Sequence, residues 1–222
     1  MLRFSLLSLI ASAAFAQAPA TPPAKPRVAP ATRPGLFFKE EWSNGGKAAE
    51  HEIGQESVTN PALELKLYGE SHAIAVTGKS GDDANPMHTW SGECESPCAF
   101  ALRHKENLAD LSGLARIRVN TKTSGFHQVR PLIKLADGTW LVGDRADGNT
   151  KDWLYSEYLV SDIKWLKINI EKMVTNGNFV ENPDLTKVDE IGFADLLPGS
   201  GHGPGGWSDV AQIEVYAKSV KR

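Results

Sequence analysis

Val129-Arg-Pro-Leu-Ile-Lys-Leu-Ala-Asp-Gly-Thr-Trp-Leu-Val142 is the stretch that sets the fold class. Asp137-Gly138 sits between two short apolar runs. Asp-Gly at that place marks a tight β-hairpin, because both residues tolerate the positive φ that a two-residue turn demands. The same grammar repeats on either side. Period-two runs predict strands over 36–42, 63–68, 73–76, 88–91, 99–104, 115–121, 128–135, 140–142, 154–160, 165–170, 188–194 and 212–217. Turn clusters separate them: Asn44-Gly45-Gly46, Gly81-Asp82-Asp83, Ser124-Gly125, Asp147-Gly148-Asn149 and Asn176-Gly177-Asn178. Helical turns are expected only at 106–111 and 170–174, and no stretch holds a helical period for three turns. The expectation is an all-β chain, a jelly-roll β-sandwich of two antiparallel sheets. A second hairpin is expected over 115–135, turning at Thr123-Ser124-Gly125. Pro131 in its second strand points to an edge or a bulge, since proline donates no ladder bond.

Ahead of this domain lie two segments of different character. Residues 1–16 carry one early positive charge at Arg3, then an apolar run from Phe4 to Phe15, then Ala14-Phe15-Ala16. That order predicts a cleavable signal peptide, with the mature chain starting at Gln17. The apolar run is about a dozen residues, against the ~20 that cross a bilayer as a helix. Residues 17–34 are mostly Pro and Ala and predict an extended tether. The domain itself is expected over 35–222. The protein is therefore expected to be secreted or periplasmic, with no membrane span in the mature chain, and to act as a monomer.

The chain holds 24 Lys+Arg against 27 Asp+Glu, a formal net charge of −3. No basic stripe stands out, so a nucleic-acid partner has no electrostatic support. The two cysteines fall close together, in Glu93-Cys94-Glu-Ser-Pro-Cys98. In an exported chain an isolated pair reads as a disulfide. The competing reading is a metal site, but two thiolates without a third Cys or a nearby His make a poor zinc ligand set.

Enzyme signatures are mostly missing: no G-x-S-x-G elbow, no H-E-x-x-H and no P-loop. The stretch Pro198-Gly-Ser-Gly-His-Gly-Pro-Gly-Gly206 contains a formal G-x-G-x-x-G, but a strand rather than a helix follows it, so it reads as a loop or a lid over a binding face. The six His are scattered, with no ligand spacing. Two acidic groups brought together from distant segments would suffice for a glycosidase, and sequence does not reveal such a pair. Trp outnumbers Tyr, six to four. An indole on a strand either fills the core or offers a flat face for a sugar ring. In Arg116-Ile-Arg118-Val-Asn120, alternation puts both arginines and Asn120 on one face. Gln128 and Arg130 share a face of the next strand, and Arg103 lies just upstream. Two readings of these arginines stand side by side. One is a solvated face with cross-strand pairs to Glu157, Lys134 or their like. The other is a ligand face made of Trp90, Arg103, Arg116, Arg118, Arg130 and Trp140, with guanidinium forks for a sugar or an acidic sugar.

Asp110-Leu-Ser-Gly-Leu-Ala-Arg-Ile-Arg-Val119, the hairpin quoted above, Lys151-Asp-Trp153, Asp184-Leu-Thr-Lys-Val-Asp-Glu-Ile-Gly-Phe193 and Val210-Ala-Gln-Ile-Glu-Val-Tyr216 follow one another in an order that resembles secreted jelly-roll modules of the galactose-binding-like and carbohydrate-binding families. The resemblance spans about residues 110–217. It implies non-catalytic binding of a polysaccharide or oligosaccharide. A hydrolase or lyase on the same scaffold is the second expectation, and a structural envelope domain the third. Such modules often carry a structural Ca2+ near the first and last strands, which makes Glu40, Glu41 and Glu214 the candidate ligands.

Overall fold

The computed structural model describes residues 32–47, 49–197 and 206–222. The expected signal peptide, the tether as far as residue 31 and the glycine-rich run at 198–205 lie outside the described residues. The described strands are β1 (Leu36–Glu40), β2 (His51–Glu52), β3 (Leu63–Gly69), β4 (Ala75–Thr77), β5 (His88–Trp90), β6 (Cys98–His104), β7 (Asn107–Asp110) and β8 (Arg116–Ser124). They continue with β9 (Arg130–Leu135), β10 (Trp140–Gly143), β11 (Leu154–Leu159), β12 (Trp165–Asn169), β13 (Val174–Phe179), β14 (Val188–Asp195), β15 (Trp207–Tyr216) and β16 (Lys218–Lys221). They form two sheets, as the alternation predicts. The first runs β11-β8-β15-β5-β4-β2, with β1 also beside β15. The second runs β13-β12-β10-β9-β14-β6-β3, with β7 joining β14 to β16. Every pairing among the described residues is antiparallel.

The core lies between the sheets. Ile117, Val119, Ile213 and Val215 meet Phe100, Leu102, Ile133, Leu141, Trp165 and Phe193 there, all nearly sealed from solvent. Each such side chain contributes about 1.5–3 kcal/mol by leaving water. The two outer faces differ in kind. The second sheet is apolar on its outside as well: Ala99, Ala101, Leu132, Trp140, Val142, Leu166, Ile168 and Met173 form a second buried cluster, with Tyr68, Ile170 and Leu196 packed on it. The outer face of the first sheet is polar, and it carries the site described below.

Three expectations need correction. Residues 115–135 are not a hairpin. β8 pairs with β11 and β15 in the first sheet, whereas β9 pairs with β10 and β14 in the second, so the segment between them crosses the sandwich. Pro131 is not on an edge strand. β9 is central, and its ladder to β10 stops at Leu132, one residue short of the proline, so no bond is asked of the missing N–H. Residues 106–111 are mostly the strand β7, held from Asn107 to Asp110 by β16, and 170–173 is a turn leading into β13. The hairpin at Asp137-Gly138 joins β9 to β10, with Gly138 at φ 88°.

β15 carries one irregularity that matters later. Its register against β8 slips between Val210 and Gln212, leaving Ala211 as an extra residue. Such a bulge re-aims the side chains beyond it. Asp209 and Gln212, an odd number of residues apart, therefore both point outward, opposite Lys122 and Asn120.

Candidate functional site on the outer face of the first sheet

The outer-face residues of β8 and β15 stand in cross-strand rows. Arg116 faces Tyr216, Arg118 faces Glu214, Asn120 faces Gln212 and Lys122 faces Asp209. β11 extends these rows with Leu159, Glu157 and Tyr155. Residues this close across a ladder interact directly, and the rows show it. Glu214 is the hub: it accepts from Arg118 Nη1 at 3.0 Å, Tyr216 Oη at 2.8 Å and Gln212 Nε2 at 2.9 Å. Arg118 Nε also approaches Glu157 at 3.7 Å. Arg116 pairs with Glu157 at 3.2 Å and lies 3.9 Å over the Tyr216 ring. Both arginines are thus neutralised within the sheet.

Next to this ladder the face sinks into a cleft of about 370 Å³. Asn120, Ala211 and Gln212 line it from the sheet, Glu41 and Trp42 from the end of β1, Thr59 from the segment ahead of β3, and 80–83 with Pro86 and Met87 from the loop between β4 and β5. Tyr155 lines it from β11 and is 59% exposed. A cleft of this size suits a small ligand. Its polar groups are amides, a phenol and the carboxylates of Glu41, Asp82 and Asp83. Asn120 is buried, and its Oδ1 has no hydrogen-bond partner in the protein. An acceptor buried without a donor costs free energy, and a ligand hydroxyl would relieve that cost.

The wall at the end of β1 is rigid for a visible reason. Trp42 takes φ 56°, rare for a bulky side chain. The buried Glu40 carboxylate holds it there, accepting Trp42 N at 2.9 Å, Thr59 N at 2.7 Å, Thr59 Oγ1 at 2.8 Å and Asn60 N at 3.0 Å. The Trp42 ring meets Phe100 edge-on at 5.2 Å, so this indole belongs to the core.

The chain is similar in structure to the family 11 carbohydrate-binding module of the cellulosomal cellulase Lic26A-Cel5E of Clostridium thermocellum, at 14% identity and a TM-score of 0.43, over 84% of this chain and 97% of that one. A family 11 module from Clostridium thermocellum in complex with a β-1,3-1,4-mixed-linked tetrasaccharide gives 17% identity and a TM-score of 0.43, over 78% of this chain and 98% of that one. The likeness is to carbohydrate-binding modules. An exo-β-agarase is also similar, at 9% identity and a TM-score of 0.41, over 73% of this chain and 24% of that one. No family model and no curated protein matches the sequence.

The residues expected from sequence to form one ligand face do not share one. Trp90, Arg116 and Arg118 are on the first sheet, and Arg103, Arg130 and Trp140 are on the second. On the second sheet each has a partner. Arg103 binds Asp189 at 3.1 Å and Glu64 at 3.2 Å, and Arg130 Nε donates to the Gly143 carbonyl at 2.8 Å. Trp140 packs edge-on to Tyr68 at 4.7 Å beneath the Lys134 ammonium, which also binds Glu190. The candidate calcium ligands do not converge either. Glu40 faces inward and is saturated by its four donors, Glu41 pairs with Lys39 at 2.7 Å, and Glu214 serves Arg118 on the opposite side of the sheet from Glu40. Among the described residues no three His, Cys, Asp or Glu groups are placed to hold a metal ion. Cys94 and Cys98 are joined in a disulfide, as their spacing suggests.

One buried cluster has the composition of a hydrolytic triad without its wiring. His127 Nδ1 lies 2.7 Å from Asp195 Oδ2, and Ser208 and Ser91 donate to that same oxygen. Both hydroxyls are spent on the acid, so neither serine is paired with the imidazole as nucleophile to base. The sequence does hold signals for the cleft. Alternation in Leu154-Tyr-Ser-Glu-Tyr-Leu159 places Tyr155 beside Glu157, and Asn120 follows from the same reasoning as Arg118. Asp82 and Asp83 are visible in sequence only as turn residues.

Proposed function

We propose that the protein binds a neutral oligosaccharide or polysaccharide, without cleaving it, in the cleft over Asn120, Gln212 and Tyr155, and that it does so outside the cytoplasm. The observation that carries this reading is the unpartnered Asn120 Oδ1 on a cleft floor beside Gln212, with an exposed phenol ring at the wall. Amide groups and carboxylates match sugar hydroxyls, and a flat ring matches a sugar's apolar face. The ladder argues against an acidic sugar, because Arg116 and Arg118 are already engaged by Glu157 and Glu214, while the cleft rim is itself acidic. The Cys94–Cys98 disulfide fits an oxidising compartment. Among the described residues no helix is long and apolar enough to cross a membrane.

The test is a glycan array followed by calorimetry on the exported protein. Asn120→Ala and Tyr155→Ala should each weaken binding about threefold to tenfold, the scale of one hydrogen bond or one ring contact. The melting midpoint should stay within about 2 °C, since neither change opens the core. Absence of any neutral glycan among the binders, or full affinity in both variants, would sink the proposal. Release of new reducing ends during incubation would turn it toward catalysis.

A further inference from the structure

One step along the same face, beyond the Asn120–Gln212 row, stands a group that the cleft leaves unused. Asp209 is a carboxyl with its side chain only 6% exposed. Its Oδ1 has no hydrogen-bond partner. Lys122 faces it from β8 and Trp90 from β5. Trp207 lies two residues back on the same face, near enough to favour the ionised carboxyl. His88, also on β5, brings Nε2 to 4.0 Å from Asp209 Oδ2, and the Trp153 ring meets the imidazole edge-on at 5.0 Å. The three indoles are half-buried, not sealed. Trp90 lies over Gly92 so closely that a Cβ there would strike the ring.

The protonation state follows from the surroundings. His88 Nδ1 is 2.7 Å from the Pro86 carbonyl, an acceptor, so that nitrogen carries the proton and Nε2 turns its lone pair toward Asp209. Burial pushes Asp209 up to about 8, with Lys122 and Trp207 pulling the other way. Burial also pushes His88 down, and the Lys122 charge pushes it further. At neutral pH the contact is therefore between a neutral acid and a neutral imidazole, not an ion pair.

We propose that Asp209 and the indoles of Trp90 and Trp207 form a second sugar subsite, in line with the cleft, where Asp209 Oδ1 accepts a hydroxyl from a neutral sugar ring resting on indole. The inference deepens the glycan reading of the cleft and rests on it. Asp209 stands opposite Lys122, the outward residue after Asn120 on β8, and diagonal neighbours across a ladder are about 7–8 Å apart, so the orphaned acceptors of Asn120 and Asp209 fall within reach of adjoining residues of one sugar chain. Lys122 standing over the site disfavours an amino sugar, and the acidic rim of the adjoining cleft, Glu41, Asp82 and Asp83, disfavours a uronic acid. The ligand is therefore a neutral chain of several residues, not a single sugar.

A proton signature sets this subsite apart from a merely structural Asp209. A hydroxyl donating to a carboxyl favours its ionised form. Binding thus lowers the affinity of Asp209 for its proton, releases a fraction of a proton near pH 7.5, and tightens as pH rises toward 9. Calorimetry with neutral gluco- and galacto-oligosaccharides of two to six residues, in two buffers of different ionisation heat, reads this directly. Wild type should release protons with the longer members. Asp209→Asn, which keeps an acceptor but cannot titrate, should release none and bind them about fivefold more weakly at pH 8.5, with the shortest member unchanged. Carboxyl carbon NMR of Asp209 in wild type should show its midpoint fall when the hexasaccharide is added, a readout that does not depend on the variant folding. Binding that needs Asn120 but releases no proton, with the Asp209 midpoint unmoved, would overturn the subsite and leave the cleft standing. Failure of every oligosaccharide to bind would overturn both.

Discussion

Raising the pH should weaken the folded protein through Asp209, and replacing that residue by Asn should remove the effect. An aspartate in the unfolded chain ionises near 3.9. In the fold, burial moves the same group up to about 8. Between those values the folded state holds a proton that the unfolded state has released, so stability falls as pH rises. The contribution is intact below about pH 4, declines through the interval and is fully lost above about 8. At about 1.4 kcal/mol for each pH unit, the ceiling is about 5–6 kcal/mol, comparable to the whole stability of many domains. Lys122, close enough to act on Asp209 by its charge, can turn toward the ionised carboxylate and reduce the loss. Urea unfolding followed by tryptophan fluorescence, at pH steps from 4 to 9 and fixed ionic strength, gives the curve for wild type and for Asp209→Asn. Other titrating groups cancel in the difference between the two. That difference should start near zero at pH 4 and grow by several kcal/mol in favour of the Asn variant by pH 9. A flat difference, or one of opposite slope, would refute the account of a neutral buried acid.

Glu40→Ala should destabilise the fold by about 3 kcal/mol or more, because three backbone N–H groups lose a charged acceptor at once; denaturant midpoints check it. Thiol labelling of the exported protein under denaturing, non-reducing conditions should find no free Cys, and replacing both cysteines by Ser should lower stability by about 2 kcal/mol. Arg103→Ala and Arg130→Ala should leave glycan affinity unchanged, since both residues lie on the second sheet, whereas Arg118→Ala should weaken it severalfold by freeing Glu214; a calorimetric titration that ranks them otherwise would move the site. Amino-terminal sequencing of the exported chain should begin at Gln17, and an intact Met1 in that fraction would refute cleavage after Ala16.

Strand positions were legible because alternation is local. Arg116-Ile-Arg-Val-Asn120 reads correctly as one polar and one apolar face, and β11 and the outer half of β15 read the same way. Which sheet each strand joins is decided by contacts far apart in sequence, and here the reading failed. The turn at Ser124-Gly125 looks like a hairpin, but the chain carries on across the sandwich and separates Arg118 from Arg130. A clue lay in the apolar runs. Ala99-Phe-Ala-Leu102 and Trp140-Leu-Val142 scarcely alternate because their sheet is covered on both sides, whereas β8 alternates because one of its faces meets water. β13 escaped notice because Asn176-Gly177-Asn178 punctuates it like a turn, with Gly177 at φ 76°. The cleft itself depends on a loop, a strand end and three strands meeting, a combination with no local signature.

The extra residue in β15 works as a phase shifter for the whole face. With Ala211 in place, Asp209 and Gln212 both look outward, opposite Lys122 and Asn120. If the strand ran through Ala211 without the bulge, strict alternation would put Asp209 and Gln212 on opposite faces. Either Asp209 would be driven into the hydrophobic interior, or Gln212, Glu214 and Tyr216 would be, and Ile213 and Val215 would turn out to water. Deleting Ala211 removes the extra residue and the need for the bulge together, so Asp209 and Gln212 keep facing outward. A second residue inserted beside Ala211, which a one-residue bulge does not absorb, would instead turn one end of the strand over. Lineages of this fold should therefore tolerate loss of this residue from the last long strand and should not tolerate a further single insertion there.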